Sequence, residues 1–229
     1  PTRRSSDLNI AINKEYIEIQ KYAFRKYKIK TVENKHTHLV PEELEQLERL
    51  SLTGKHMKLQ KSLDAFLFCC YAGMRYSDFT NLSKKNIVDI NQETWLIYKS
   101  VKTGTEVRLP LYLLFAGKGI VILNKYRNNL EVFFRLRDNS NINKDLIIIA
   151  KLAGLSKKIS FHTARHTNAT LLIYNGVNIT TVQKLLGHKS VKTTQVYTNI
   201  MDMTIVHDLE KMKQAALGIK KKTDNSFNK

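Results

Sequence analysis

The sequence predicts a mainly α fold that carries a small three-stranded antiparallel β-sheet. Three observations lead there. Apolar residues recur at helical spacing on both sides of the middle of the chain. Between about residues 86 and 110 that period gives way to short runs separated by turn residues. The 229 residues, 42% of them hydrophobic, hold enough material to bury one large core, or a medium core with appendages.

The opening string Pro1-Thr2-Arg3-Arg4-Ser5-Ser6-Asp7-Leu8 is what one reading frame of a common short-read sequencing adaptor would encode. Residues 1–8 are therefore expected to be non-native and to contribute nothing to the fold, the native sequence starting near Asn9. A continuous native reading frame through this junction in the genome would overturn that expectation. Residues 9–36 set Tyr16, Ile17, Ile19, Tyr22, Phe24 and Tyr27 among lysines, a pattern that fits the end of a preceding domain or a linker.

After His38, Pro41-Glu42-Glu43 puts a proline and two acids into the first turn of a helix, and Leu44, Leu47 and Leu50 follow at helical spacing. A second helix runs from about Leu59 to Ala72, with Leu63, Phe66, Leu67 and Cys70 on one face and Gly73 at its end. Asn86–Ile90, Trp95–Ser100 and Glu106–Leu109 read as strands. Asn91-Gln92-Glu93 separates the first two, Lys102-Thr103-Gly104 turns between the second and third, and Pro110 closes the last. Helical spacing then returns over Ile120–Arg127, Asn143–Ala153 and His162–Tyr174. Asn178 caps a further helix ending at Gly187, and Ser190 starts another that carries Tyr197. A last helix, about Asp202–Leu217, precedes a basic tail, 219–229, that is expected to be disordered.

Composition narrows the function. Cys69 and Cys70 are adjacent and read as core thiols of a reducing, cytoplasmic compartment. That excludes secreted disulfide scaffolds and cysteine-based zinc folds. The longest apolar runs, such as Leu146–Ala150, fall far short of a membrane span. Lys and Arg number 38 against 20 Asp and Glu, a net charge of +18. Such an excess attracts polyanions. Nucleic acid is the commonest such partner; an anionic membrane and ribosomal assembly are the rivals.

The chemistry-bearing residues are spread along the chain. In His162-Thr163-Ala164-Arg165-His166, positions i, i+3 and i+4 share one helix face. Alone this is as consistent with a solvated polar face. Two histidines at this spacing also suit zinc, but Thr163 stands where a metalloprotease would carry glutamate, and no third ligand is evident. Arg75 follows Gly73 just past a buried helix; Lys102 sits on a hairpin turn; His188 ends a helix after Leu185-Leu186-Gly187; and Tyr197 follows nine positions later. Each has a bland reading in isolation: a surface arginine, a solvated lysine, a helix cap, a packing tyrosine.

In this order along one chain they resemble the tyrosine recombinase (phage integrase) family, and most of all the integrases of Bacteroides-type conjugative transposons. The resemblance covers about Thr37 to Met212. The Leu-Leu-Gly-His…Tyr segment with its nine-residue step carries it most specifically. It implies the fold of a tyrosine recombinase catalytic domain for residues 37–218, with 9–36 the remnant of an upstream core-binding domain and its linker.

The resemblance further implies a site-specific recombinase that cuts and rejoins DNA through a 3′-phosphotyrosyl intermediate. Tyr197 would be the nucleophile, and Arg75 and Arg165 would clamp the phosphorane. Lys102 would protonate the leaving 5′-oxygen. His162 would take the tyrosine proton or assist as an acid–base group, while His188 would hydrogen-bond a nonbridging oxygen. Asp78 and His166 are expected in support, Asp78 orienting Arg75 or a histidine and His166 bracing its helix. No cofactor and no metal ion is expected. Lys84, Lys85, Lys99, Lys157, Lys158, Lys184, Lys189 and Lys192 are expected along phosphate backbone. Partners would be double-stranded DNA, a homotetramer on a Holliday-junction intermediate and accessory DNA-bending proteins, in bacterial cytoplasm with the nucleoid. The last helix carries an apolar stripe of Met203, Ile205, Val206, Leu209 and Met212 that packs on its own domain or docks on a neighbouring protomer. Two rivals stay open: a catalytically silent DNA-binding protein of the same fold, and a type IB topoisomerase-like nicking–closing enzyme.

Overall fold

A computed structural model of the chain describes residues 10–16, 18, 20, 37–197 and 213. The adaptor-like string, most of 9–36, all of the expected last helix except Lys213, and the basic tail lie outside the described residues. The chain divides into two units, Pro1–Lys35 and His36–Lys229. In the first, residues 10–16 include a helical turn in which the Lys14 amide donates to the Ile10 carbonyl at 3.0 Å.

The second unit is built around one helix. Helix α1 is Pro41–Arg49, and a 3₁₀ turn over Gly54–Leu59 leads into α2, Gln60–Ala72. The apolar spacing of α2 predicts a single buried face, yet every residue from Ser62 to Ala72 is buried. Its other buried positions are Ser62, Asp64, Ala65, Phe68, Cys69, Tyr71 and Ala72, and the polar side chains are matched: Ser62 donates to Asp145 at 2.6 Å, Asp64 accepts from Lys125 at 2.9 Å and Tyr126 at 2.7 Å, and Tyr71 donates to Glu48. A helix enclosed on all sides has no solvent face to keep polar. Cys69 and Cys70 are free thiols in this core.

Short helix α3 (Tyr76–Thr80) follows, then strands β1 (Ile87–Ile90), β2 (Glu93–Lys99) and β3 (Glu106–Pro110). The sheet is antiparallel in the order β1-β2-β3, with Val88 opposite Trp95 and Tyr98 opposite Val107. Asn91 and Gln92 both hold positive φ, 52° and 66°, so the turn takes two residues and β2 begins earlier than Trp95. Leu96 and Tyr98 of β2 and Val107 and Leu109 of β3 face the core, while Lys99, Glu106 and Arg108 face out.

Helices α4 (Lys118–Lys125), α5 (Leu130–Phe134), α6 (Asn139–Leu152), α7 (Phe161–Tyr174), α8 (Ile179–Leu186) and α9 (Val191–Gln195) complete the described unit. Helix α6 starts four residues before the apolar spacing does, because the Asp138 carboxylate caps it by accepting from the Asn141 amide at 3.1 Å. Helix α9 stops at Gln195, so Tyr197 stands just past the helix expected to carry it. Its amide closes a turn onto the Thr194 carbonyl at 3.0 Å. The five-residue helices α3 and α5 escape sequence periodicity, since one turn cannot sustain itself alone. Packing holds them: Phe79 meets Phe133 and Phe134 edge-on, at 5.2 and 5.5 Å between ring centroids.

Candidate active site

Helix α7 starts at a reciprocal cap, with the Ser160 amide donating to the Thr163 hydroxyl at 3.0 Å. One turn later Arg165 is 1% exposed. Its guanidinium donates to the Gly73 carbonyl at 2.7 Å and to the Leu186 carbonyl at 2.5 Å. These carbonyls lie at the C-terminal ends of α2 and α8, where unpaired carbonyls and the helix dipole concentrate negative potential. One side chain thus ties three helices together. Among the described residues no carboxylate forms an ion pair with it. Burial, then the like charge of Arg75, push its pKa down to about 10, which still leaves a cation at neutral pH.

Two glycines make that junction. Gly73 has φ 66°, and a Cβ there would lie 2.5 Å from Asn168 Oδ1. Gly187 has φ 62°, and its Cβ would lie 2.6 Å from Val107 Cγ2. Each position demands both left-handed backbone and the absence of a side chain. Each also reverses the chain just before a predicted site residue, two positions ahead of Arg75 in one case and one ahead of His188 in the other.

Arg75 precedes α3 and points across to the end of β2. It donates to Ser100 Oγ at 3.3 Å and pairs with Asp78 at 3.5 Å. Asp78 is buried and accepts from the Val101 amide at 2.8 Å and from Ser100 Oγ at 3.3 Å. The carboxylate therefore fixes Arg75 and the base of the β2–β3 hairpin at once, one residue from Lys102. Sequence reasoning missed Ser100. The signal was there: with Leu96 and Tyr98 it continues the inward alternation of β2, so a hydroxyl there had to find a partner. Lys102 itself is exposed at the tip, and Thr103 of the same turn donates to the Gly187 carbonyl at 3.1 Å.

His188 is 7% exposed, with Nδ1 2.9 Å from Thr194 Oγ1. Burial lowers its pKa to about 4, helped by the charges of Arg165, Arg75, His162 and Lys102. Four of the predicted catalytic residues thus act on one imidazole, and it is neutral at pH 7. Tyr197 is 6% exposed and packs with Ala169, Leu172, Val182 and Leu186. Burial raises its pKa, and Arg165 and Arg75 pull it partly back. Its hydroxyl lies 2.9 Å from His166 Nδ1. His162 is exposed on the first turn of α7, its ring edge-on to His166 at 4.3 Å. The tyrosine's hydrogen-bond partner is therefore the histidine expected only to brace the helix. Beneath the arginines, the buried Tyr98 hydroxyl has no hydrogen-bond partner among the described residues.

The structure brings Arg75, Lys102, His162, Arg165, His188 and Tyr197 into one neighbourhood, with Asp78 in contact with Arg75 and His166 in contact with His162 and Tyr197. The basic residues are more dispersed. Lys84, Lys85, Lys99, Lys158, Lys184, Lys189 and Lys192 are exposed. Lys157 is turned inward, paired with Glu43 at 2.7 Å and donating to the His38 carbonyl at 3.3 Å.

Known proteins place this arrangement. Residues 37–203 match the phage integrase family. The chain is 29% identical over 185 residues to tyrosine recombinase XerC of Rickettsia prowazekii (strain Madrid E), covering 76% of this chain and 58% of that protein. Over 134 residues it is 34% identical to tyrosine recombinase XerA of Saccharolobus solfataricus, 56% of this chain and 42% of that one. The chain thus spans about three fifths or less of these relatives. Its fold is shared with a crystal structure of XerA recombinase, at TM-score 0.59 and 23% identity over 89% of this chain and 79% of that one. It is shared also with a lambda integrase(75-356) dimer bound to a COC′ core site, at 0.63 and 20% over 84% and 69%. With the family match spanning residues 37–203, most of its length, this chain belongs to the phage integrase family of tyrosine recombinases.

Proposed function

We propose that the protein cuts and rejoins double-stranded DNA at specific sites through a 3′-phosphotyrosyl intermediate. The observation that carries this is Arg165: a buried guanidinium held by carbonyls, with no carboxylate pairing it among the described residues, beside Arg75 and the phenol of Tyr197. Two cations with one carboxylate between them favour an added anion. A phosphate suits the paired donors of guanidinium groups.

In the reaction, Tyr197 Oη attacks phosphorus and Arg75 and Arg165 stabilise the charge that develops on the nonbridging oxygens. Lys102 gives a proton to the departing 5′-oxygen. Neutral His188 donates a hydrogen bond to a nonbridging oxygen. The ester stays linked to the enzyme, so a 5′-hydroxyl of another strand can reverse the step without ATP. Exposed lysines contact backbone phosphates.

Assembly as a homotetramer on a Holliday junction is part of the same reading. A groove of about 830 Å³ lined by Leu44, Tyr71, Leu114, Phe115, Leu172 and Leu185 offers an apolar seat for the stripe of Met203, Ile205, Val206, Leu209 and Met212 from a neighbouring protomer. A DNA-bending accessory protein, a place with the bacterial nucleoid and kinship to Bacteroides-type conjugative transposon integrases complete the proposal, the last resting on the motif order alone.

The test uses a pool of nicked duplexes with randomised cores in EDTA, comparing the chain with Tyr197→Phe. A covalent adduct from the unaltered chain alone is expected. Adduct formation by the Phe variant would remove Tyr197 as nucleophile, and binding without any adduct would leave a silent DNA-binding protein. Relaxation of supercoils without strand exchange would indicate a topoisomerase-like enzyme.

A further inference from the structure

We infer that His166 is the group that accepts the phenolic proton of Tyr197 when the tyrosine attacks. The inference rests on the recombinase reading above and deepens it. A buried phenol is held in its protonated form, so attack at neutral pH requires an acceptor already in contact with the oxygen. His166 Nδ1 is in that place, 2.9 Å from Tyr197 Oη, and both side chains are buried at the junction of α7 with the turn after α9. With Nδ1 unprotonated, the phenol donates to it. His162 is one turn away on the same face and exposed, and its ring meets His166 edge-on at 4.3 Å.

The step balances on these groups. A bond forms between Tyr197 Oη and phosphorus, and the phenolic proton moves to His166 Nδ1, giving an imidazolium. The bond from phosphorus to the 5′-oxygen breaks, and that oxygen leaves as a hydroxyl with a proton from Lys102. On rejoining, the imidazolium returns its proton to the departing phenolate. His166 and Lys102 thus serve opposite ends of one displacement, and a substrate can tell them apart. In a duplex with a bridging 5′-phosphorothiolate the leaving group is a thiolate, which needs no proton.

The experiment measures covalent adduct formation on paired oxygen and sulfur substrates for the unaltered chain, His166→Ala, His166→Asn and Lys102→Ala. Thermal melting and DNA affinity report folding and binding alongside. His166→Ala is expected to slow cleavage about 100-fold or more on both substrates, whereas the Lys102→Ala loss is largely relieved by sulfur. His166→Asn keeps a hydrogen-bond acceptor near Nδ1 but cannot take the proton, so it should stay slow. Near-normal cleavage by the Asn variant, or sulfur rescue of His166→Ala, overturns the inference. An unaltered chain that forms no adduct sinks the recombinase reading instead. The contact is then read separately by ¹³Cζ-tyrosine NMR, in which His166→Ala must move the Tyr197 resonance; an unmoved resonance overturns the inference too.

Discussion

Arg165 and Lys102 carry the same charge and act on the same imidazole, yet the fold treats them in opposite ways. Arg165 is sealed in the core, its guanidinium fastened to the ends of two helices. Lys102 stands exposed at the tip of a hairpin whose base alone is anchored, by Asp78 to Val101 and by Thr103 to Gly187. A charge that must oppose the phosphorane is most effective when its position is fixed beforehand, because nothing then has to reorganise. A group that delivers one proton at one stage needs only to reach. Under the proposed mechanism, the site divides its work between a rigid floor and an exposed arm.

The largest expected effect breaks the floor. Arg165→Lys keeps the charge but loses the fork that spans Gly73 and Leu186, and should lower adduct formation about 1,000-fold while also lowering the melting temperature. Next, Lys102→Ala should lower cleavage about 100-fold and leave melting within about 0.5 kcal/mol of the parent. Equal loss of stability in both variants would erase the distinction between floor and arm.

The third prediction concerns pH. The folded pKa of His188, about 4, lies below the ordinary value of 6.5. Between those values the unfolded chain binds the extra proton, so stability rises with pH across the window and is lost as pH falls. Denaturant unfolding should show about 1 to 2 kcal/mol of loss between pH 7 and 5, and His188→Gln should flatten that slope. The smallest effect belongs to Tyr98→Phe, which deletes a buried hydroxyl without a partner among the described residues and should stabilise the fold by about 0.5 kcal/mol. A drop in stability would instead reveal a hydrogen bond that the hydroxyl makes to ordered solvent.

Much of this was legible in the chain. The period change between residues 86 and 110 located the sheet, and Gly73 and Gly187 marked helix ends because left-handed backbone there tolerates little else. The order Arg75, Lys102, Arg165, His188, Tyr197 singled out residues whose charges meet around His188 and Tyr197. What stayed hidden depends on distance rather than sequence. Whether the phenol meets His162 or His166 turns on how α7 faces the turn after α9, and both histidines lie on that helix face. Ser100 and the inward turn of Lys157 toward Glu43 are likewise set by packing between segments far apart in sequence. Helices α3 and α5 exist only because phenylalanines from other elements hold them.

The most direct test of the account identifies the covalent bond itself. Adduct trapped on a nicked duplex is digested with protease and nuclease, and the nucleotide-bearing peptide is sequenced by mass spectrometry. Tyr197 is expected to carry a nucleotide joined through its 3′-phosphate. Attachment to any other residue, or through a 5′-phosphate, would contradict it.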